Sequence, residues 1–291
     1  RAGVRGLRIR TMKIWLNGKI VGEKDARVSI FDRGFLYGDG VFETMRSYGG
    51  VVFKLNEHLA RLRASLRIVQ IKMPYSRSFL KKEIYRMLKV DGPKDVYLRL
   101  TVTRGAGTIG LAKIDCKDPT VVIIAKEFTP YPARMYRNGV SVKLVKNRQN
   151  ENSRISGIKS TSFLNYILAR LDAKKAGFND AIMLNSKDGI CESTVSNIFL
   201  VKGRALSTPA LEEGPLPGIT RKVVLGLAAR AGLISRQGHI SIGELYQADE
   251  IFLTSSLMEI MPVVKADDRI IGGGRPGGIS LKIHKLYRAK I

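Results

Sequence analysis

Residues 192–221 read ESTVSNIFLVKGRALSTPALEEGPLPGITR, and this stretch decides the fold. With the preceding residues from Asp180 onwards, it predicts two strands around a Lys-Asp-Gly turn. Glu192 and Asn197 stand among apolar neighbours, where a carboxylate is usually paired. Pro217-Gly218 comes directly before a predicted helix, whose free amides suit an anion, although a plain loop and cap would look the same.

Lys159 is the second feature, in GIKSTSFLNYIL at 157–168. It precedes a predicted helix with an apolar stripe that we expect to be buried, formed by Leu164, Ile167, Leu168 and Leu171. Burial and the positive helix end would both lower the pKa of the lysine amine. A partly neutral amine suits imine chemistry with a carbonyl compound. The alternative is a lysine whose stem packs while its head reaches water.

An amine, a carboxylate and an anion cradle together match the three handles of pyridoxal phosphate, which are an aldehyde, a ring nitrogen and a phosphate. The sequence therefore indicates this cofactor. The three histidines lie far apart without a second ligand at metal spacing, so we expect no metal site.

Composition narrows the class of protein. The chain has 291 residues, a net charge of +25 and 44% apolar residues, typical of a globular protein. The basic residues are spread along the chain without a nucleic-acid-binding motif, so we expect no nucleic-acid partner. No apolar run has the ~20 residues of a membrane helix. Two cysteines without a framework favour the cytoplasm.

Hydrophobic patterning predicts two α/β domains. Residues 1–11 resemble a basic leader before a start at Met12. A smaller N-terminal domain would span 12–128, with hairpins at Asn17-Gly18 and Gly49-Gly50 and a helix capped by Asn56. Residues 129–138 would form the linker, and 139–291 the larger domain. GAGTIG at 105–110 matches a dinucleotide fingerprint, but no helical stripe follows it, so we expect a loop.

The block 192–221 resembles the signature of the class IV, or fold-type IV, pyridoxal-phosphate aminotransferases. FLYGDGVFETMR and EHLARL are similar to the N-terminal motifs of that family. The resemblance implies a smaller and a larger α/β domain with the cofactor between them, and a homodimer or higher homo-oligomer in which the loop near Tyr37 completes the pocket of the partner.

The resemblance also implies roles for individual residues. Lys159 would hold the cofactor covalently and move the proton between the substrate Cα and C4′, and Glu192 would bond the pyridine nitrogen. The phosphate would be held by Arg61, Gly218, Ile219, Thr220 and Ser256. The substrate pocket would include Tyr37, Tyr97, Arg99, Ser256 and Leu257.

The chain departs from the branched-chain pattern after the lysine. Ser162 and Phe163 stand where many branched-chain enzymes have Asn-Tyr, so Tyr166 or a water would have to replace the tyrosine at the 3′-oxygen of the cofactor. Tyr97 and Arg99, in YLRL, favour transamination between a branched-chain or hydrophobic L-amino acid and 2-oxoglutarate. Other motifs are similar to aminodeoxychorismate lyases, which form 4-aminobenzoate and pyruvate, and D-amino-acid transamination is a third alternative.

Overall fold

The computed structural model describes residues 12–89, 95–112 and 116–291. The predicted leader at 1–11 lies outside these residues. Within the described part, no helix is both long enough and apolar enough to cross a membrane.

Residues 13–127 build an antiparallel sheet of six strands in the order β2-β1-β6-β5-β3-β4. Both predicted hairpins are confirmed, and Asn17 and Gly18 turn the first of them with φ of 46° and 92°. The strands are β1 (Lys13–Leu16), β2 (Lys19–Gly22), β3 (Gly40–Tyr48), β4 (Val51–Val52), β5 (Val96–Thr103) and β6 (Thr120–Glu127).

Among the described residues of this part, three α-helices accompany the sheet: α1 (Arg33–Tyr37), α2 (Leu55–Ile68) and α3 (Arg77–Lys89). Helix α2 buries Leu59, Leu62 and Leu66, which recur at helical spacing and therefore share one face. The predicted cap was wrong. Helix α2 begins one residue before Asn56, and its N-cap is Lys54, which has a left-handed backbone and no side-chain cap.

Residues 140–270 build a mixed sheet of nine strands in the order β12-β11-β10-β13-β14-β7-β8-β9, with β15 beside β14. Strand β7 runs parallel to both β14 and β8. The strands are β7 (Val140–Gln149), β8 (Asp180–Asn185), β9 (Ile190–Ser193), β10 (Asn197–Lys202), β11 (Ala205–Pro209), β12 (Ile234–Gly238), β13 (Glu250–Ser255), β14 (Glu259–Ala266) and β15 (Arg269–Ile270).

Five further α-helices lie between residues 133 and 288: α4 (Ala133–Asn138), α5 (Leu164–Lys175), α6 (Ile219–Leu225), α7 (Ile242–Tyr246) and α8 (Gly278–Arg288). Helix α4 lies between the last strand of the first sheet and the first strand of the second, within the predicted linker at 129–138. GAGTIG is a loop as predicted, because no helix begins within described residues 105–112.

Helix α5 corrects the prediction for the stripe after Lys159. Its four large apolar residues are not buried but between 47% and 66% exposed: Leu164, Ile167, Leu168 and Leu171. The helix instead packs Ala169 and Ala173 against Ala181 and Met183 of β8, because small side chains allow close approach to the sheet. An apolar stripe shows only that residues share a face, and this face is left largely open to solvent.

The two sheets meet along β3. The amide of Phe42 donates to the Lys159 carbonyl at 2.8 Å, and the Thr161 amide donates to the Gly40 carbonyl at 2.9 Å. Farther along β3, Arg46 donates to Glu259 of β14 at 2.8 Å, with both side chains buried. The segment around Lys159 is therefore hydrogen-bonded to β3 of the first sheet, although the chain enters it from β7 of the second sheet.

Candidate active site

A cavity of about 450 Å³ lies between the two sheets, a volume usual for a small-molecule site. Both parts of the chain line it. Most of the predicted site residues meet here: Arg61, Tyr97, Arg99, Lys159, Glu192, Gly218, Ile219, Ser256 and Leu257. Thr220 and Tyr37 do not line it. Among the described residues, no cluster of His, Cys, Asp or Glu is suited to hold a metal ion.

Lys159 reaches into this cavity between two aromatic rings. Its Nζ lies 4.7 Å from the ring centre of Phe42 and 5.9 Å from that of Phe163. Burial lowers the pKa of its amine to about 8, helped by the Arg61 guanidinium and opposed by the carboxylates of Glu43 and Glu192. The lowered pKa was predicted, and its largest cause is burial. An amine in this state is neutral often enough to attack a carbonyl carbon near neutral pH.

Glu192 faces the same cavity from β9 and is held by three donors. The Tyr166 hydroxyl donates to Oε1 at 2.8 Å, and the Leu216 amide donates to Oε2 at 3.0 Å. Asn197 Nδ2 donates to Oε2 at 3.4 Å. Burial raises the pKa of Glu192 to about 7, although the Leu216 amide, Tyr166 and Lys159 oppose it. A buried carboxylate with this pKa can share a proton with a weakly basic nitrogen.

Arg61 supplies positive charge at another wall of the cavity. Its Nε and Nη2 donate to the two carboxylate oxygens of Glu43 at 2.8 and 2.7 Å, and its Nη1 donates to the Pro217 carbonyl at 2.9 Å. A guanidinium has five N–H donors, so one on each Nη stays available for a ligand. Bidentate pairing of this kind fixes the plane of the guanidinium.

The start of α6 adds a tight backbone approach beside Arg61. Gly218 is the N-cap residue and offers no side-chain cap to the first turn. A Cβ at this position would lie 1.9 Å from Asn197 Oδ1, so only glycine fits. Thr254 Oγ1, also at the cavity wall, is buried and has no hydrogen-bond partner among the described residues. An unpaired buried hydroxyl costs about 1–3 kcal/mol, which a polar ligand would offset.

The opposite wall comes from the first sheet. Tyr97 and Arg99 line the cavity from β5, and the Arg99 guanidinium lies 3.7 Å from the ring centre of Phe42. Thr44 pairs with Arg99 across β3 and β5 and also lines the cavity. This wall therefore joins one cation to aromatic and methyl surface, which suits a substrate that has both a carboxylate and an apolar side chain.

Comparison with known proteins agrees with this geometry. The family model for amino-transferase class IV matches residues 40–266. This chain belongs to the class IV aminotransferase family.

Two relatives and one solved structure illustrate the breadth of that family. A putative branched-chain-amino-acid aminotransferase of Methanocaldococcus jannaschii is 40% identical over 278 residues, 95% of this chain and 96% of that protein. An aminodeoxychorismate lyase of Bacillus subtilis is 32% identical over 280 residues, 96% of this chain and 94% of that protein. The crystal structure of a branched-chain aminotransferase from Thermoproteus uzoniensis, solved with norvaline, has a TM-score of 0.88 at 34% identity, covering 96% of this chain and 94% of that one. The predicted fold class is confirmed.

Two residues predicted from the class IV resemblance lie outside the cavity of this chain. Thr220 is buried in the first turn of α6. Tyr37 ends α1 at the surface, where its hydroxyl accepts a hydrogen bond from the Gly110 amide at 2.7 Å. A role for Tyr37 in the pocket of a second subunit stays a prediction.

Sequence reasoning missed several cavity residues of this class IV aminotransferase. Phe42 and Thr44 alternate along β3 on the cavity side, and this period of two is visible in GVFETMR. Tyr166 was considered as a replacement for the missing tyrosine at Phe163, but its hydroxyl bonds Glu192. The rings of Phe163 and Tyr166 stack at 4.5 Å, which places both beside Lys159.

Proposed function

We propose that this chain is a pyridoxal-phosphate-dependent aminotransferase that moves the amino group of a branched-chain or other hydrophobic L-amino acid to 2-oxoglutarate. One observation carries the proposal: a single cavity holds an amine of lowered pKa, a buried carboxylate and a fixed guanidinium, on Lys159, Glu192 and Arg61. The similarity to branched-chain relatives supports this choice of substrate.

The residues present fit pyridoxal phosphate. The orphaned hydroxyl of Thr254 indicates a polar ligand at this wall of the cavity. Arg61 and Ser256, with the backbone amide of Ile219, would hold the phosphate. Glu192 would accept from the ring nitrogen, and Lys159 would bind the aldehyde carbon. When bound, the cofactor supplies an electron sink that stabilises negative charge at the substrate Cα.

The side chains of the cavity then have distinct tasks. Lys159 would be the acid–base group that moves the proton at the substrate Cα, a role worth ~10²–10⁴-fold. Phe42 and Phe163 exclude water from its amine, which preserves the lowered pKa. Glu192 keeps a proton at the ring nitrogen, because its three donors hold the carboxylate in place. Tyr97, Arg99, Ser256 and Leu257 contact the substrate.

The second candidate is aminodeoxychorismate lyase activity. It is favoured by the Bacillus subtilis relative and by Phe163, which has no hydroxyl where branched-chain enzymes often have a tyrosine. The same lysine would serve both reactions, so the arrangement of Lys159 and Glu192 does not separate them. D-amino-acid transamination is the third alternative, since relatives with that name also match.

Substrate titration separates these reactions. The cofactor-loaded protein would be mixed separately with L-leucine, D-alanine and aminodeoxychorismate, without keto acid, and released products would be quantified. We expect L-leucine to release one equivalent of its keto acid, and added 2-oxoglutarate to restore turnover as glutamate. Pyruvate and 4-aminobenzoate from aminodeoxychorismate alone would instead establish the lyase, and pyruvate from D-alanine alone the D-specific enzyme.

We also propose that the protein acts as a cytoplasmic homodimer. Exposed apolar side chains lie on α5 and at Phe35 and Leu36 of α1, and such surface is typical of a protein–protein interface. Tyr37 follows Phe35 and Leu36 in α1. A second copy seated there would bring Tyr37 towards a cavity. Cys116 and Cys191 are both free, which suits a reducing compartment.

A further inference from the structure

Glu43 lies at the centre of a buried charge cluster that the proposed mechanism does not use. It belongs to β3 and is only 1% exposed. Its carboxylate accepts both N–H bonds of the Arg61 pair described above, and Oε2 also accepts from His58 Nδ1 at 2.7 Å. Burial by itself would raise the pKa of Glu43, but the charges and hydrogen bonds of Arg61 and His58 outweigh it and lower that pKa to about 2. The carboxylate is therefore ionised near neutral pH.

The contacts of Arg61 leave it little freedom. The two bonds to Glu43 come from the side of the guanidinium that holds Nε and Nη2, and Pro217 O takes one N–H of Nη1. The two remaining N–H groups, one on each Nη, are the donors left for a ligand. Without Glu43 the side chain of Arg61 would keep a single anchor and regain rotamer freedom, so its free donors would no longer be held in one direction.

The same carboxylate reaches a second cavity residue through His58. The Nε2 atom of His58 lies 3.4 Å from Ser256 Oγ, and Ser256 lines the cavity. His58 is 1% exposed and comes from α2, one turn before Arg61. Glu43 thus sets the imidazole that contacts Ser256 and, independently, sets the guanidinium. Glu43 therefore contacts Arg61 directly and Ser256 through His58, and these are the two side chains of the predicted phosphate site.

We propose that Glu43 is a positioning residue for phosphate recognition, acting directly through Arg61 and through His58 on Ser256. This rests on the proposed function, in which Arg61 and Ser256 contact the cofactor phosphate. A purely structural carboxylate would affect every ligand of the cavity equally. A positioning carboxylate affects only ligands that carry the phosphate.

The test compares two ligands that differ in that group. Apoprotein would be titrated with pyridoxal 5′-phosphate and with pyridoxal, and bound ligand followed by visible absorbance. Glu43→Gln keeps the shape but removes the charge. We expect it to weaken pyridoxal phosphate about 10- to 100-fold relative to pyridoxal, the range found when the hydrogen-bonded partner of a metal-binding side chain is removed. Glu57→Gln is the matched control, an acid of the same helix as Arg61 that pairs with Lys54 at the surface.

Further variants make each outcome decisive. Arg61→Ala reports the phosphate contact itself, and adding Glu43→Gln to it should cost less affinity for pyridoxal phosphate than Glu43→Gln costs alone, because only the route through His58 to Ser256 remains. Glu43→Asp, which keeps the charge if Gln prevents folding, should give a smaller loss confined to the phosphorylated ligand. Equal losses for both ligands, or no loss, would overturn the role of Glu43 while leaving the proposed function intact. If Arg61→Ala also failed to separate the two ligands, the phosphate site itself would be wrong.

Discussion

Replacing Lys159 with methionine should stabilise the apoprotein while abolishing its activity. Burial lowers the pKa of this amine from 10.5 to about 8, so folding at neutral pH opposes its protonation. One pKa unit corresponds to about 1.36 kcal/mol, and the shift therefore destabilises the folded state by about 3 kcal/mol at pH 7. Methionine fills a similar volume without the charge, so the free energy of unfolding should rise by about that amount.

The pH dependence identifies the cause. A lysine of lowered folded pKa destabilises the protein fully below that pKa, and the penalty disappears as pH rises towards the unfolded value. The advantage of Lys159→Met should therefore be about 3 kcal/mol at pH 7, about 2 kcal/mol at pH 9 and below about 1 kcal/mol at pH 10. Urea unfolding of both apoproteins, followed by circular dichroism, measures this difference.

A surface lysine provides the control. Lys175 lies at the exposed end of α5, so Lys175→Met should change stability by less than about 0.5 kcal/mol at every pH. The reasoning would be refuted if Lys159→Met gave no gain at pH 7, or a gain that stayed constant up to pH 10. A constant gain would indicate better packing and not relief of a buried charge.

Three other changes test separate parts of the structure. Glu259→Gln removes the buried one of the two carboxylate partners of Arg46 and should lower the free energy of unfolding by about 3–5 kcal/mol in urea titrations. Leu168→Arg places a charge on the exposed apolar face of α5 and should shift the proposed dimer to monomer in sedimentation velocity runs. Gly218→Ala forces a Cβ towards Asn197 Oδ1 and should weaken pyridoxal phosphate at least about 10-fold in absorbance titrations.

Each of these changes has a control on the same element or pair, or at a matched surface position. Asp95→Asn removes the half-exposed partner of Arg46 and should cost less than about 1 kcal/mol. Leu281→Arg introduces the same charge at an exposed apolar residue of α8 and should leave the dimer intact. Gly226→Ala lies at the other end of α6 with only ordinary contacts, so cofactor affinity should not change. A dimer that survives Leu168→Arg would move the proposed interface away from α5.

Local signals in the sequence were enough for the hairpins and for much of the site. Asn17-Gly18 adopts the turn that its residues favour, and the lowered pKa of Lys159 followed from its apolar surroundings. Glu192 and the α6 loop were singled out from their local sequence, motif resemblance added Arg61 and a role for each, and the structure brings them into one cavity. The hairpins and the lowered pKa of Lys159 depend on residues close by in the sequence, and the site residues depend on family motifs that recur along the chain.

The errors share a physical cause. The stripe on α5 was assigned to the core because periodicity shows which residues share a face but not what covers it. The residues of α5 that pack against the sheet are Ala169 and Ala173. The bond between Tyr166 and Glu192 and the pair of Arg46 with Glu259 join residues far apart in sequence, so they depend on packing that local patterns do not contain.

The most direct test of the central claim is to find where the cofactor is attached. The protein loaded with pyridoxal phosphate would be reduced with borohydride, digested and mapped by mass spectrometry. We predict one phosphopyridoxyl group per chain, on Lys159, and none in the Lys159→Met variant. Attachment at another lysine, or equal labelling of the Lys159→Met variant, would contradict the account.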